Sequence, residues 1–233
     1  MFGISKKEKK YPEIEIETEL KCHKFWIFSI RSIEKKYDTS RKGEIIFYGA
    51  SNFARWTTME EDMGEYKVQN HAFGDSIDAE LVGYANRILF PYEPKIVFFQ
   101  TGSNDYVQLS GTDEEKIEKC MEYKKQMFAA FHEQMQDAKF VIMSGLLLPG
   151  RAEYLNLTLT INERLQKLAE ETDYLYYVDA NALTYDGTNL DATLFIEDGI
   201  HLNHDGQMRW YNEYIKPMIE QAITENGMDP VRK

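Results

Sequence analysis

The chain has 233 residues, of which 43% are hydrophobic, and its formal net charge is −12. This length and apolar content suit one α/β domain with a substantial buried core. Because an acidic surface repels phosphate backbones, the charge argues against a nucleic-acid partner. No apolar run approaches the roughly 18 residues that would predict a membrane span.

The N-terminal segment and the cysteines predict a cytoplasmic protein. Residues 1–20 begin with lysines and lack the apolar stretch of a secretory signal. Cys22 and Cys120 lie far apart, which is typical of reduced thiols and not of a disulfide framework. The stretch Glu13–Glu17 alternates glutamate with isoleucine, so it is either an edge strand or a solvated arm.

Beyond this arm, helical and extended patterns alternate. The first helix is predicted over Lys21–Lys36, where apolar residues recur at helical spacing. Strands are predicted at Glu44–Tyr48, Tyr66–Asn70, Lys95–Gln100, Phe140–Leu148 and Leu175–Asp179. Helices are predicted near Phe53–Glu61, over Asp75–Leu89, from Thr112 to about Gln136, over Ala152–Glu171 and from about Asp205 to Glu220.

Strands that alternate with helices indicate βαβ units, hence a parallel five-stranded sheet with helices on both faces. We expect residues 1–40 to form an N-terminal arm and helix packed on a single domain of residues 41–233. Ligands in such sheets bind beyond the carboxyl ends of the strands. The residues that follow each strand are therefore the candidates for chemistry.

Small and polar residues occupy these positions. Ser51 follows the first strand, Gly74 the second and Asn104 the third, while Asp198 and His201 follow the fifth after a loop. A serine hydroxyl becomes a good nucleophile when a neighbouring base takes its proton, and a carboxylate usually orients that base. Asp198 and His201 are three residues apart, so one turn can present both. Backbone N–H groups of Ser51 and Gly74 and the Asn104 amide could form an oxyanion hole.

The same region also spells D-x-x-H-x-x-H, from Asp198 through His201 to His204, which is a conceivable metal cluster. Zinc requires three or four convergent ligands, and no cysteine or further histidine falls at ligand spacing. We therefore expect no metal and no cofactor.

The four short segments that contain Ser51, Gly74, Asn104 and Asp198–His201 resemble the four sequence blocks of the SGNH, or GDSL-type, hydrolase family. The family is named for a Ser, a Gly, an Asn and a His in these blocks. The family's third block is matched closely by Gly102–Asp105 (GSND) and its fourth by Asp198–Asn203 (DGIHLN). The resemblance covers about residues 44–218. Asn162 lies where such proteins often carry an asparagine. The chain departs from the family at Ala50, where the first block usually has aspartate, and in the surroundings of Gly74.

The resemblance implies a three-layer α/β/α sandwich of flavodoxin-like type, and a serine esterase or acylhydrolase that works through an acyl-enzyme. An ordinary α/β-hydrolase fits less well, because Phe53 stands where the second glycine of G-x-S-x-G belongs. Two alternatives stay open: a catalytically silent binding module, suggested by Ala50, and an acyltransferase that uses the same triad.

The substrate is expected to be a small-molecule ester. The intervals Ser51–Gly74 and Gly74–Asn104 are each nearly filled by one helix and one strand, so neither holds a lid, and the long loop from Asp179 to Asp198 is polar. This favours short acyl groups, acetyl above all, on a small or carbohydrate-like alcohol. Phe53, Phe73 and Phe195 are the candidate substrate contacts, and a homodimer is a candidate assembly.

Overall fold

The computed structural model describes residues 11–22, 26–227 and 231–233. Part of the arm and part of the predicted helix Lys21–Lys36 therefore lie outside the described residues. Five parallel strands form one sheet in the order β2-β1-β3-β4-β5, which is the flavodoxin-like order. The strands are β1 (Ile45–Gly49), β2 (Val68–Asn70), β3 (Ile96–Gln100), β4 (Lys139–Met143) and β5 (Leu175–Val178).

Helices connect the strands and cover both faces. They are α1 (Ile27–Lys36), α2 (Ser51–Ala54), α3 (Met59–Asp62), α4 (Asp78–Ile88), α5 (Ser103–Gln108), α6 (Asp113–Gln134), α7 (Leu155–Glu170), α8 (Asn181–Thr184), α9 (His204–Trp210) and α10 (Lys216–Asn226). A π-helical segment, Tyr211–Ile215, joins α9 to α10. The predicted parallel sheet and three-layer α/β/α architecture are thus confirmed.

The sheet is buried on both faces because four of its strands, β1, β3, β4 and β5, are apolar at most positions. On β1, Ile46 and Tyr48 belong to one hydrophobic cluster with α1, α4, α6 and α7. Ile45 and Phe47 belong to a second cluster with α2, α3, α9 and α10. Side chains alternate between the two faces of a strand, so a continuous apolar run packs against both helical layers.

Three local predictions need correction. The helix predicted near Phe53–Glu61 is two short helices, α2 and α3, separated by a turn. The strand predicted to reach Leu148 ends at Met143, because both backbone groups of Gly145 bond to the Asn162 side chain, at 2.8 and 2.9 Å. The Glu13–Glu17 stretch is neither an edge strand nor fully solvated, since its isoleucines pack against the core.

No helix in the described ranges is long and apolar enough to cross a membrane.

Candidate active site

Ser51 lies at the N-terminus of α2, at the carboxyl edge of the sheet. It is 9% exposed, and Ala50 before it donates a backbone hydrogen bond to Gln100 O at 3.1 Å. Gly74 follows β2, which pairs with β1. A Cβ atom built on Gly74 would lie 4.0 Å from Cβ of Ser51. The pairing of the two strands therefore places the predicted nucleophile beside a predicted oxyanion donor.

Two backbone N–H groups at this point are available to a ligand. As the first residue of α2, Ser51 has no intrahelical acceptor for its N–H group. Within the described residues, neither the Ser51 nor the Gly74 N–H donates a hydrogen bond. They are thus in a position to receive an oxyanion.

Asp198 and His201 form the predicted pair. His201 Nδ1 lies 2.6 Å from Asp198 Oδ2, and Asp198 Oδ1 accepts hydrogen bonds from the backbone N–H groups of Ile200 and His201. Partial burial acts to raise the pKa of Asp198. The hydrogen bond from the His201 ring and those from the two backbone N–H groups outweigh this effect and lower the pKa to about 2. Gly199 adopts φ +63°, the left-handed conformation that the turn requires.

The ionised carboxylate selects the histidine tautomer. It accepts the Nδ1–H bond, which leaves Nε2 as the basic nitrogen. Nε2 is buried and has no hydrogen-bond partner among the described residues. No hydrogen bond therefore joins it to the Ser51 hydroxyl, and such bonds are often long in triads without substrate.

Asn52 connects the nucleophile to the base. Its Nδ2 donates to Ile200 O at 3.2 Å, and its Oδ1 accepts from Leu202 N at 3.1 Å. One side chain next to Ser51 thus holds the backbone on both sides of His201. This contact holds the loop of the predicted base against the residue that follows the predicted nucleophile.

The Asn104 amide lies over the Gly74 block. Its Nδ2 donates one hydrogen bond to Ser76 O at 3.0 Å, and its Oδ1 accepts from Arg151. An amide nitrogen has two hydrogens, so the second is left for an oxyanion. The structure therefore places Gly74 beside Ser51 and bonds the Asn104 side chain to Ser76, two residues after Gly74.

A buried charge network supports the loop that carries Asn104. Lys124 Nζ lies 2.5 Å from Asp78 Oδ2, and Asp78 Oδ1 accepts from Thr101 Oγ1. Burial, and then the neighbouring Asp78, hold the pKa of Asp105 well above its usual range. Gly102 has φ +106°, and a Cβ there would approach Lys124 Nζ to 3.0 Å. The positive φ favours glycine here, and a larger side chain would also crowd Lys124.

The three phenylalanines proposed as substrate contacts are buried in the core. Phe53 and Phe195 belong to one hydrophobic cluster and Phe73 to the other, on the opposite face of the sheet. Phe73 and Gly74 also line a cavity of about 370 Å³ between α1 and the α2–α3 region. Contact of these rings with a substrate stays a prediction.

The remaining polar candidates have structural partners. His204 Nε2 lies 3.2 Å from the Asp62 carboxylate at the surface. In the part of the chain that the structure describes, no three His, Cys, Asp or Glu side chains converge as metal ligands. Asn162 bonds to Gly145 and to Asn181 Oδ1, so it links α7 to the ends of two strands.

Sequence reasoning missed Asn52 and Arg151. The sequence indicates a role for Asn52 only through its position next to Ser51, because its hydrogen-bond partners are about 150 positions away. Arg151 follows Pro149-Gly150 in a 3-10 segment, and nothing in that motif indicates a contact with Asn104.

Comparison with known proteins identifies the fold. No family model matches the chain, and no curated sequence matches it. A Streptococcus pneumoniae structure, provisionally assigned as a platelet activating factor, is 16% identical with TM-score 0.68 and covers 85% of this chain and 95% of its own. A GDSL-like lipase from Bacteroides thetaiotaomicron is 16% identical with TM-score 0.61 and covers 85% and 97%.

A single-residue mutant of an acetyl-xylooligosaccharide esterase from Geobacillus stearmophilus is 13% identical with TM-score 0.56, covering 78% of this chain and 96% of its own. Identities this low support an inference about fold and leave the activity to be argued from the site. The chain has the three-layer α/β/α fold of the SGNH, or GDSL-type, hydrolases.

Proposed function

We propose that the chain is a serine ester hydrolase with Ser51 as nucleophile, His201 as general base and Asp198 as the carboxylate that orients it. The observation that carries the proposal is the Asn52 link. It holds a histidine with a buried, unpartnered Nε2 beside a serine whose backbone N–H is free among the described residues. This arrangement supplies the two groups that acyl transfer needs, a base for the serine proton and an N–H donor for the oxyanion.

The chemistry follows from these positions. Ser51 Oγ attacks the ester carbonyl while His201 Nε2 takes its proton, and the oxyanion is met by N–H groups of Ser51, Gly74 and Asn104. The intermediate collapses as His201 returns the proton to the departing alcohol, leaving Ser51 acylated. Water, activated by the same histidine, then releases the acid. Asp198 stays ionised and stabilises the imidazolium that forms at each attack.

Asn104→Ala is expected to lower kcat on the order of 10²–10³, with little change in KM, because the lost amide binds charge that develops only in the transition state. Steady-state kinetics with p-nitrophenyl acetate measure the effects on kcat and on KM separately. A change confined to KM would make Asn104 a ground-state contact instead.

The acyl group in this proposal is short, acetyl above all, and the alcohol is small or carbohydrate-like. The cavity beside Gly74 has a mixed lining, in which the polar side chains of Ser29, Ser32, Lys36 and Glu60 lie beside the apolar Trp56, Met59 and Phe73. The phenylalanine rings that could form an apolar slot are at most 6% exposed and are used in the core. One structural neighbour is an esterase of acetylated xylooligosaccharides, which agrees with this preference.

The acyl preference predicts that kcat/KM falls along the p-nitrophenyl esters from acetate to octanoate. A pocket that buried the chain would gain about 0.8 kcal/mol for each CH₂ and would raise the value with length. Measuring kcat/KM for the acetate, butyrate, hexanoate and octanoate esters shows whether the value falls or rises with acyl length. A steady rise to octanoate would show a lipid-type pocket and would contradict the acetyl assignment, while leaving the triad intact.

A further inference from the structure

Arg151 contacts the oxyanion side of the site through its guanidinium group. Nη2 lies 3.3 Å from Asn104 Oδ1, while Nη1 lies 3.4 Å from that oxygen and 3.0 Å from Ser103 Oγ. The side chain is half-buried. Its backbone segment is held against the catalytic loop, because Gly150 N donates to Gly199 O at 2.9 Å. Arg151 therefore lies between the loop of the base and the residue of the oxyanion hole.

The two sets of contacts on Asn104 determine how its amide is oriented. Arginine has only donors, so it requires the oxygen of Asn104 on its side. Ser76 O is an acceptor, so it requires the nitrogen on the other side. A flipped amide would place two acceptors together at Ser76 and two donors together at Arg151. Only the observed orientation satisfies both partners, and it leaves one amide N–H for the oxyanion.

The charge of Arg151 has no carboxylate among the described residues to balance it. Arg87, Arg164 and Arg209 each pair with glutamate. Arg151 makes no ion pair with any described residue, and its contacts are with the neutral oxygens of Asn104 and Ser103. A cation bonded to an amide oxygen draws electron density from the nitrogen and makes its N–H a stronger donor, since linked hydrogen bonds polarise one another.

We propose that Arg151 is a positioning residue of the oxyanion hole, which orients the Asn104 amide through Oδ1 and strengthens its free N–H as a donor. The inference rests on the proposed ester hydrolysis and adds to it a residue that acts through Asn104. Its effect belongs to the transition state and the tetrahedral intermediate and not to the bound substrate, because the oxyanion develops only as Ser51 attacks.

A double-mutant cycle tests this coupling. Arg151→Met, Asn104→Ala and the double variant are compared with the wild type on p-nitrophenyl acetate. Arg151→Met is expected to lower kcat about 10-fold with KM nearly unchanged, an effect of the size found for residues in one hydrogen-bond network. In the Asn104→Ala background the same change is expected to have less than about a 2-fold effect, because its partner is absent.

Two further variants separate positioning from folding. Arg164→Met is the matched control, because that guanidinium bonds to Glu114 and Glu118 on α6, and it should leave kcat unchanged. Arg151→Gln retains a neutral donor for Asn104 Oδ1 and should recover part of the kcat that Arg151→Met loses. It also serves as the test variant if Arg151→Met fails to fold, with circular dichroism as the check.

The inference is overturned if Arg151→Met reduces kcat equally in both backgrounds. It is also overturned if the loss appears in KM and only for an anionic ester such as 4-acetoxybenzoate, since Arg151 would then bind substrate. In both cases the wild type still hydrolyses esters and the proposed function stands. A wild type without any esterase activity would instead overturn both.

Discussion

Ser51→Ala is expected to abolish hydrolysis of p-nitrophenyl acetate, with kcat reduced on the order of 10⁶, the size of effect seen when a triad nucleophile is removed. Without Oγ no acyl-enzyme can form, although the oxyanion donors remain. The fold should persist, because the Ser51 hydroxyl makes no hydrogen bond with a described residue and the change removes one oxygen.

The measurement is turnover by the purified variant, with thermal unfolding to confirm the fold. Ser40→Ala is the matched control, since Ser40 is exposed and lies before the amino end of β1, at the opposite edge of the sheet. It should retain wild-type turnover. Turnover by Ser51→Ala close to that of the wild type would refute the nucleophile assignment.

His201→Ala is expected to lose activity by a similar order, because Ser51 would lack a base. Combining it with Ser51→Ala should cost little more, since residues that act as a unit are not additive. In the wild type, the rate should rise from acid to neutral pH, because only neutral imidazole accepts the serine proton. This rise should disappear in the variant.

Asp198 does not account for that rise. Its pKa is lowered to about 2, so the carboxylate is ionised above that pH and its contribution is constant across the range of the assay. His204→Ala is the matched control, because His204 is exposed and bonds to Asp62 outside the triad. A wild-type rate that is flat from acid to neutral pH would argue against a histidine base.

The fold was predictable because its strongest signals are local. Each predicted strand overlaps an observed one, as the apolar run Lys95–Gln100 overlaps β3 (Ile96–Gln100). The helix predicted from Thr112 is α6, which a capping box of Thr112 and Glu115 begins. Strands buried on both faces are apolar at nearly every position, and a helix start is set by hydrogen bonds within four residues.

The errors occur where tertiary contacts override these local patterns. Leu146–Leu148 is as apolar as a strand and is buried, but Asn162 takes the backbone bonds of Gly145 and ends β4 before it. The region after Ser51 is broken into α2 and α3, and Trp56 Nε1 donates to Asp62 Oδ2 across the break. Burial alone does not distinguish a strand from a buried loop.

The site was predictable in part. The positions of Ser51, Gly74 and Asn104 follow from the rule that ligands bind at strand carboxyl ends, and β2, β1 and β3 are adjacent in the sheet. Asn52 and Arg151 were not predictable, because their roles depend on packing between segments far apart in sequence. An asparagine or arginine in a loop has many surface roles, and only its partners reveal which one applies.

Reaction with a fluorophosphonate, followed by peptide mass spectrometry, tests the central claim most directly. The probe reports an activated serine without any assumption about the natural substrate. The account predicts one label, on Ser51 of the wild type, that is absent from Ser51→Ala and strongly slowed in His201→Ala. Absence of label from Ser51 in the folded wild type, or labelling at an undiminished rate without His201, would contradict it.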